Sequence, residues 1–575
     1  KLTKNGYTRE YTVIYNHNYT GSTDTPKTAT YSFNNWNTKA DGTGKPPYEN
    51  EENVINLTAV NNGVVNLYAT WNSASITYVP TRNDSSGNVY VFTGWYKEAT
   101  CKNSVTDENG VYIPDGTITT LYAGWKQVYY QNTTSKKYYV TLNDAFSEAA
   151  AGNVINVLSN ATETTTATLA SGKTAKLNMN GKNITFNGAY SVYNLGTLQI
   201  TGNGTIYGSQ TAHTVNNRGK LTINGSTINS QYNSKGVYAL YNAGTTTLTS
   251  GTITNEAPSG SLDSVTDYSI FAIVNTGTFN MSGGSIISKS AGHVRQYGIS
   301  SSGKVTISSG TIDTYGIAIY LSGDANKGLE ITGGKIKNSG AGAATINNNS
   351  NADINISGSN DITITSENGK GIYLAKTGGL NISATKISVT GGSDAISIGS
   401  SASNAKIIVT AGTYNGGSAG IKNESITGEI VVEDGKINGT GTSGIGINIG
   451  AGSLTLGVKD SDVSTTNPSI TGKSSGITGR SVNFYDGIVV SKGNNGTGLQ
   501  APVSDKPDNY SVQYEDSNRI AYLRKNKSTL SIDPGGGSIK VWNPSNASNS
   551  STITATTSYT EEFGKIIKLS TPTKN

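Results

Sequence analysis

The side chains able to do chemistry are few and scattered along the chain. His17, His213 and His293 with the single Cys101 cannot supply an ordinary zinc site, so no metal or other cofactor is expected. Cys101 has Lys102 as its only charged neighbour and no histidine near it in sequence, which reads as an incidental thiol. Glycoside hydrolysis needs two carboxylates on one face, yet Asp313, Asp324, Asp353, Asp361, Asp394, Glu429, Glu433 and Asp434 share no register. A non-catalytic chain is expected. Binding has more to offer, because carbohydrates are held by planar polar groups beside aromatic rings. The insertion Asn255 to Tyr268 carries Asp263, Asp267 and Tyr268, and the next unit offers His293, Arg295 and Gln296. Tyr193 and Tyr241 are expected to point outward beside them. These eight residues are the predicted ligand site.

The elements that position them follow from composition. Of 575 residues, 34% are apolar, 14% charged and 70 are glycine, the remainder being rich in Asn, Ser and Thr. That mixture disfavours helical bundles and coiled coils and favours short strands between many turns. No apolar run approaches the ~18 residues of a membrane helix. A net charge of +5 over this length is too weak a field to predict nucleic-acid binding. One cysteine excludes an internal disulfide. The chain begins at Lys1 with no signal peptide, and reads as a mature or trimmed segment of something longer.

Two segments in residues 1–127 are built alike. The first has Tyr11-Thr-Val-Ile-Tyr-Asn16, then Phe33-x-x-Trp36-Asn-Thr-Lys-Ala-Asp-Gly-Thr-Gly44, then Leu67-Tyr-Ala-Thr-Trp71. The second has Ile76-Thr-Tyr-Val79, Phe92-Thr-Gly-Trp95 and Leu121-Tyr-Ala-Gly-Trp125. The matched tryptophans read as core anchors of a small β domain. This pattern resembles the Listeria-Bacteroides repeat, or internalin B-repeat, of bacterial surface proteins. The resemblance implies small β-grasp-like modules serving as a stalk or spacer, one over residues 1–73 and a shorter one over 74–127. The chain departs from the family at Asn16-His-Asn-Tyr-Thr-Gly21, and the second copy lacks much of its first half.

From about residue 150 a different period takes over. Leu198, Leu221, Thr246, Phe279, Val305, Leu329, Ile354, Leu380, Ile407, Ile430, Leu454 and Val482 each open a unit of alternating apolar residues, at a mean spacing of about 26. Strand alternation without intervening helices predicts one solenoid coil per unit. Counting back from Gly196, Gly219, Gly244, Gly277 and Gly303 gives three more columns. Two residues back stand Asn194, Asn217, Asn242, Asn275 and Ser301, a ladder of side chains able to bond from coil to coil. Four back stand the core residues Val192, Val215, Leu240, Ile273 and Ile299. Six back stand Tyr190, His213, Tyr238, Phe271 and Tyr297, which by period-two parity should stack in the interior. Thr141, Leu142, Ala145, Phe146 and Ala149 predict a capping helix near 141–151.

The predicted fold is therefore all-β, a solenoid over residues 128–505 behind the small repeats. It resembles the right-handed, single-stranded parallel β-helix of the pectate-lyase-like superfamily, many of whose members cleave acidic polysaccharides. Gly391-Gly-Ser-Asp-Ala-Ile-Ser-Ile398 is similar to the Gly-Asp-Asp segment of polygalacturonases, but has one acid where that family has two. The companion Gly-His-Gly and Arg-x-Lys motifs are absent, Gly292-His-Val-Arg295 being the nearest approach. Residues 506–575 read as short strands forming either a cap or the start of a further β module. The combination of modules points to an extracellular, secreted or wall-attached adhesin-like protein, most simply of a Gram-positive bacterium, whose partner is a glycan or a host or neighbour-cell surface component. A polysaccharide lyase or hydrolase, and a purely structural self-assembling spacer, are the alternatives.

Overall fold

The computed structural model describes residues 9–44, 47–55, 57–114, 117–209, 211–230, 237–255, 270–289, 296–323, 328–340, 342–543, 546–562 and 565–574. The chain is all-β with 1% helix, and divides into two compact units: Lys1–Ala145 with Asn156–Asn160, and Phe146–Ile155 with Ala161–Asn575.

In the first unit both sequence copies feed one five-stranded sheet. Tyr68–Ser73, Thr25–Asn37, Arg9–Asn16, Thr120–Val128 and Val89–Tyr96 lie side by side in that order. The copies meet where Ile14 and Tyr15 run parallel to Thr120 and Leu121. Val13 and Tyr15 of the first copy thereby complete a core made with Phe92, Trp95, Tyr112, Leu121 and Ala123 of the second. The Phe-x-x-Trp spacing has a backbone cause. Residues three apart on a flat strand face opposite sides, but the register shifts between Phe33 and Trp36 and again between Phe92 and Gly94. The bulge turns Phe92 and Trp95 to the same side, where both are buried. Gly94 sits there at φ +130°, and a Cβ on it would meet the Thr106 carbonyl at 2.3 Å.

The second unit contains a right-handed parallel β-solenoid of about 13 turns spanning residues 154–505. Each coil contributes one strand to each of three parallel sheets. In the first sheet the sequence register is reproduced pair by pair: Leu198 beside Leu221, then Thr246, Phe279, Val305, Leu329 and onward to Val482. All of them are buried, so each coil covers its neighbour's apolar face and the stack forms one continuous core. One short helix, Leu142–Ser147, precedes it. The Thr141 hydroxyl accepts the Asp144 amide at 3.1 Å as its N-cap, and Leu142, Ala145, Phe146 and Ala149 are fully buried.

The third sheet carries the asparagine ladder as expected. Asn194 donates to Asn217 at 2.7 Å, Asn217 to Asn242 at 2.8 Å, Asn242 to Asn275 at 2.7 Å and Asn275 to the Ser301 hydroxyl at 2.9 Å. The same amides donate to the carbonyls of Lys220, Thr245, Thr278 and Lys304 on the next coil. The glycines that follow are packed carbonyl to Cα. A Cβ on Gly219, Gly244 or Gly277 would stand 2.1 Å from the oxygen of the glycine one coil earlier.

One column departs from the parity argument. Tyr190, His213, Tyr238, Phe271 and Tyr297 lie on the outside and are half-buried or exposed. At the corner entering the third sheet two consecutive residues point inward, of which the first is small: Thr214-Val215, Ala239-Leu240, Ala272-Ile273, Gly298-Ile299 and Ala318-Ile319 are all buried. The extra inward residue reverses the alternation upstream of the corner, so the aromatic residues face solvent.

Residues 510–525 form a hairpin whose Ile520–Lys525 strand pairs antiparallel with Ile488–Ser491, the last solenoid strand of the second sheet. That pairing covers an otherwise open edge. Beyond it, strands between Lys527 and Lys574 gather around Ile532, Ile539, Val541 and Ile553.

Candidate functional site

The corner reversal builds the most distinctive exterior feature of the solenoid. Starting at His213, stacked rings run along the outer side of the third sheet. His213 lies flat against Tyr238 with centroids 4.8 Å apart, and against Tyr241 at 5.2 Å. Tyr238 meets Phe271 edge to face at 5.7 Å, Phe271 stacks on Tyr297 at 4.7 Å, and Tyr297 meets Tyr320 edge to face at 5.7 Å. Six rings on five consecutive coils are thus in one continuous contact. The parallel register explains this, since residues at one column position recur at the ~4.8 Å strand spacing, close to ring-stacking distance.

Two outward columns combine here. Tyr193, Asn216, Tyr241, Val274, Ser300, Tyr320, Asn347 and Tyr373 follow one another by direct strand pairing. Amides thus stand beside rings at the two ends of this column, Asn216 between Tyr193 and Tyr241 and Asn347 between Tyr320 and Tyr373, with Val274 and Ser300 between them, and the Asn349 amide donates to the Tyr320 hydroxyl at 2.7 Å. His213 is held in place by the next coil. The Tyr238 backbone N–H donates to its Nδ1 at 3.3 Å, and burial lowers its pKa, so the ring is neutral at pH 7. Burial, with Tyr241 beside it, raises the pKa of Tyr238, which stays a hydroxyl donor.

Beyond the array, a charged group lies further along the same columns. Asp394 is 4% exposed, and its Oδ2 lies 4.0 Å from Lys370 Nζ. Burial raises its pKa against the opposing pull of Lys370 and Lys422. Lys370 also donates to the Ser397 hydroxyl at 3.1 Å and lies 4.3 Å over the Tyr373 ring. Lys422 pairs with Glu424 at 2.5 Å, a contact that lowers the glutamate's pKa. The charges are thus mutually compensated. A cavity of about 300 Å3 opens beside Asp394 and Lys422. Among the described residues no three His, Cys, Asp or Glu side chains gather as a metal ion would require.

Of the residues predicted from sequence, Asp263, Asp267, Tyr268, His293 and Arg295 lie outside the described residues. Gln296 is described and is fully buried, being the last inward position before the corner, so it cannot reach a surface ligand. Tyr193 and Tyr241 face outward, and only Tyr241 joins the ring array. Phe271, Tyr297 and Tyr320 were missed as surface residues, although the small residues Ala272, Gly298 and Ala318 after the column position are the signal that marks the corner.

These features define a class, a parallel β-solenoid protein with an external aromatic strip. Compared with protein-family models, with curated proteins and with solved structures, the chain matches none.

Proposed function

We propose that this is a non-catalytic, adhesin-like protein of a bacterial cell surface, whose solenoid binds a glycan along the outer side of its third sheet. The first unit, through its resemblance to internalin B-type repeats, serves as the spacer. The observation that carries the reading is the ring array from His213 to Tyr320. Half-exposed rings flanked by planar amides suit a ligand with apolar C–H surfaces and many hydroxyls, and that describes a sugar chain better than a protein or an anion. The compensated charges around Asp394 give no excess field to draw a polyanion.

The test is incubation with plant, mucin and bacterial polysaccharides, with and without calcium, scoring retention and newly formed chain ends. Retention of at least one polysaccharide without new ends is expected, and the double variant Phe271→Ala/Tyr297→Ala should weaken it by ~10-fold or more, since two ring contacts are lost. Cleavage, or undiminished retention by the double variant, would overturn the reading.

A further inference from the structure

The first unit contains a cavity that a plain spacer does not require. It has a volume of about 820 Å3 and lies over the strands Thr25–Asn37 and Tyr68–Ser73. Tyr11, Tyr31 and Trp71 form its aromatic walls, while Asn34, Asn35 and Asn72 bring planar amides to its lining. Its size falls within the range of small-molecule sites.

The matched tryptophans of the two copies are used differently. Trp125 donates its indole N–H to the His17 carbonyl at 2.7 Å and packs on the core of the unit. Trp71, at the corresponding place in the first copy, lines the cavity, touching Phe33 edge to face at 6.1 Å. The walls are also pre-positioned. Tyr31 donates its hydroxyl to the Pro114 carbonyl at 2.8 Å, and Thr70 donates to the Asn35 side chain at 2.7 Å. Asn72 donates one amide hydrogen bond to Asn34 at 3.3 Å, and this joins the two exposed amides into a donor–acceptor pair matched to neighbouring hydroxyls.

Charge narrows the ligand further. Asp41 is the one ionised side chain among the described lining residues, and the backbone N–H and hydroxyl of Thr43 hold its carboxyl below the usual range. A carboxylate at the rim disfavours phosphates and uronates. Amides at the wall would be left unsatisfied by a purely apolar ligand. We infer that this cavity is a binding site for a short neutral oligosaccharide, separate from the array on the solenoid.

The experiment is calorimetric titration of the 575-residue chain with short neutral oligomers of glucose, mannose, xylose and N-acetylglucosamine, and with galacturonate oligomers as the acidic comparison. At least one neutral oligomer should still bind a chain that carries Phe271→Ala/Tyr297→Ala, which silences the solenoid array, and adding Trp71→Ala or Asn72→Ala to that chain should weaken the binding by ~10-fold or more. Asn72 is exposed, so its variant reports on the site even where Trp71→Ala disturbs the sheet. The inference is overturned by undiminished affinity when Asn72→Ala is added, by binding of acidic oligomers alone, or by no binding at all. Loss of oligosaccharide binding in Phe271→Ala/Tyr297→Ala, with binding by Asn72→Ala alone intact, would instead assign the sugar to the solenoid array.

Discussion

Replacing Asn242 by alanine should break the solenoid locally where it is otherwise most tightly bonded. Asn242 is fully buried and makes four side-chain hydrogen bonds: it accepts from Asn217 and from the Thr246 hydroxyl, both at 2.8 Å, and donates to Asn275 at 2.7 Å and to the Thr278 carbonyl at 2.9 Å. At a net ~1 kcal/mol each the loss is about 4 kcal/mol, and the partners left behind are buried and cannot turn to water. Repeat proteins of this length need not unfold in one step, so a global midpoint is the wrong readout. Hydrogen exchange of the strands Val215–Asn217, Leu240–Asn242 and Ile270–Asn275 reads the effect directly. About 4 kcal/mol corresponds to exchange faster by ~10³-fold. Later coils place Leu321, Leu374 and Ile398 at this same column position, so leucine fits the site. Converting Asn194, Asn217, Asn242 and Asn275 together to leucine should therefore cost much less than four times the single Asn242→Ala loss, because no ladder amide is then left facing a missing partner and no cavity is opened, only hydroxyls and backbone groups such as Thr246 and the Thr278 carbonyl each losing a bond. Exchange accelerated by less than ~10-fold in Asn242→Ala, or simple additivity in the fourfold leucine variant, would refute the ladder as an energetic unit.

Gly244→Ala should disrupt coil stacking, since its Cβ would lie 2.1 Å from the Gly219 oxygen. A loss of ~3 kcal/mol or more is expected, seen as new limited-proteolysis cuts near residue 244. Tyr15 is fully buried, its hydroxyl has no hydrogen-bond partner among the described residues, and burial with Tyr112 nearby pushes its pKa up to about 12. A folded-state pKa above the unfolded value means stability is intact below pH 10 and falls as pH rises toward 12, by roughly 2–3 kcal/mol in all. Tyr15→Phe should remove that part of the alkaline loss and stabilise the first unit by ~1 kcal/mol at neutral pH, measured by near-ultraviolet circular dichroism across an alkaline titration.

Much of the solenoid was legible because its two governing regularities, alternation within a strand and recurrence between coils, are both written in the chain. The columns from Leu198 to Val482 and from Asn194 to Ser301 needed only counting. The aromatic column failed for a local reason. Period-two parity holds within a strand and says nothing across a corner, and at Ala272-Ile273 or Gly298-Ile299 two neighbours point inward together. In the first unit the tryptophan spacing announced a β domain. That Val13 and Tyr15 would complete the second copy's core was not readable, because the parallel contact between Ile14 and Thr120 joins segments more than a hundred residues apart. The candidate surface was the least legible part, since exposure depends on which residues a neighbouring coil covers.

The coil-to-coil bonding has a mechanical corollary. The hydrogen bonds of all three sheets point along the stacking axis, and one chain winds through every coil in turn. Tension applied at the two ends of the solenoid is carried by every coil interface, but only a terminal coil is pulled from one edge of its contact, so coils peel from the ends one at a time. A coil of about 26 residues releases ~90 Å of extended chain in exchange for a ~4.8 Å step of stacked length. Under load such a rod pays out in discrete increments, dissipating work turn by turn, so a tethered molecule built this way behaves as a damper rather than as a rigid strut.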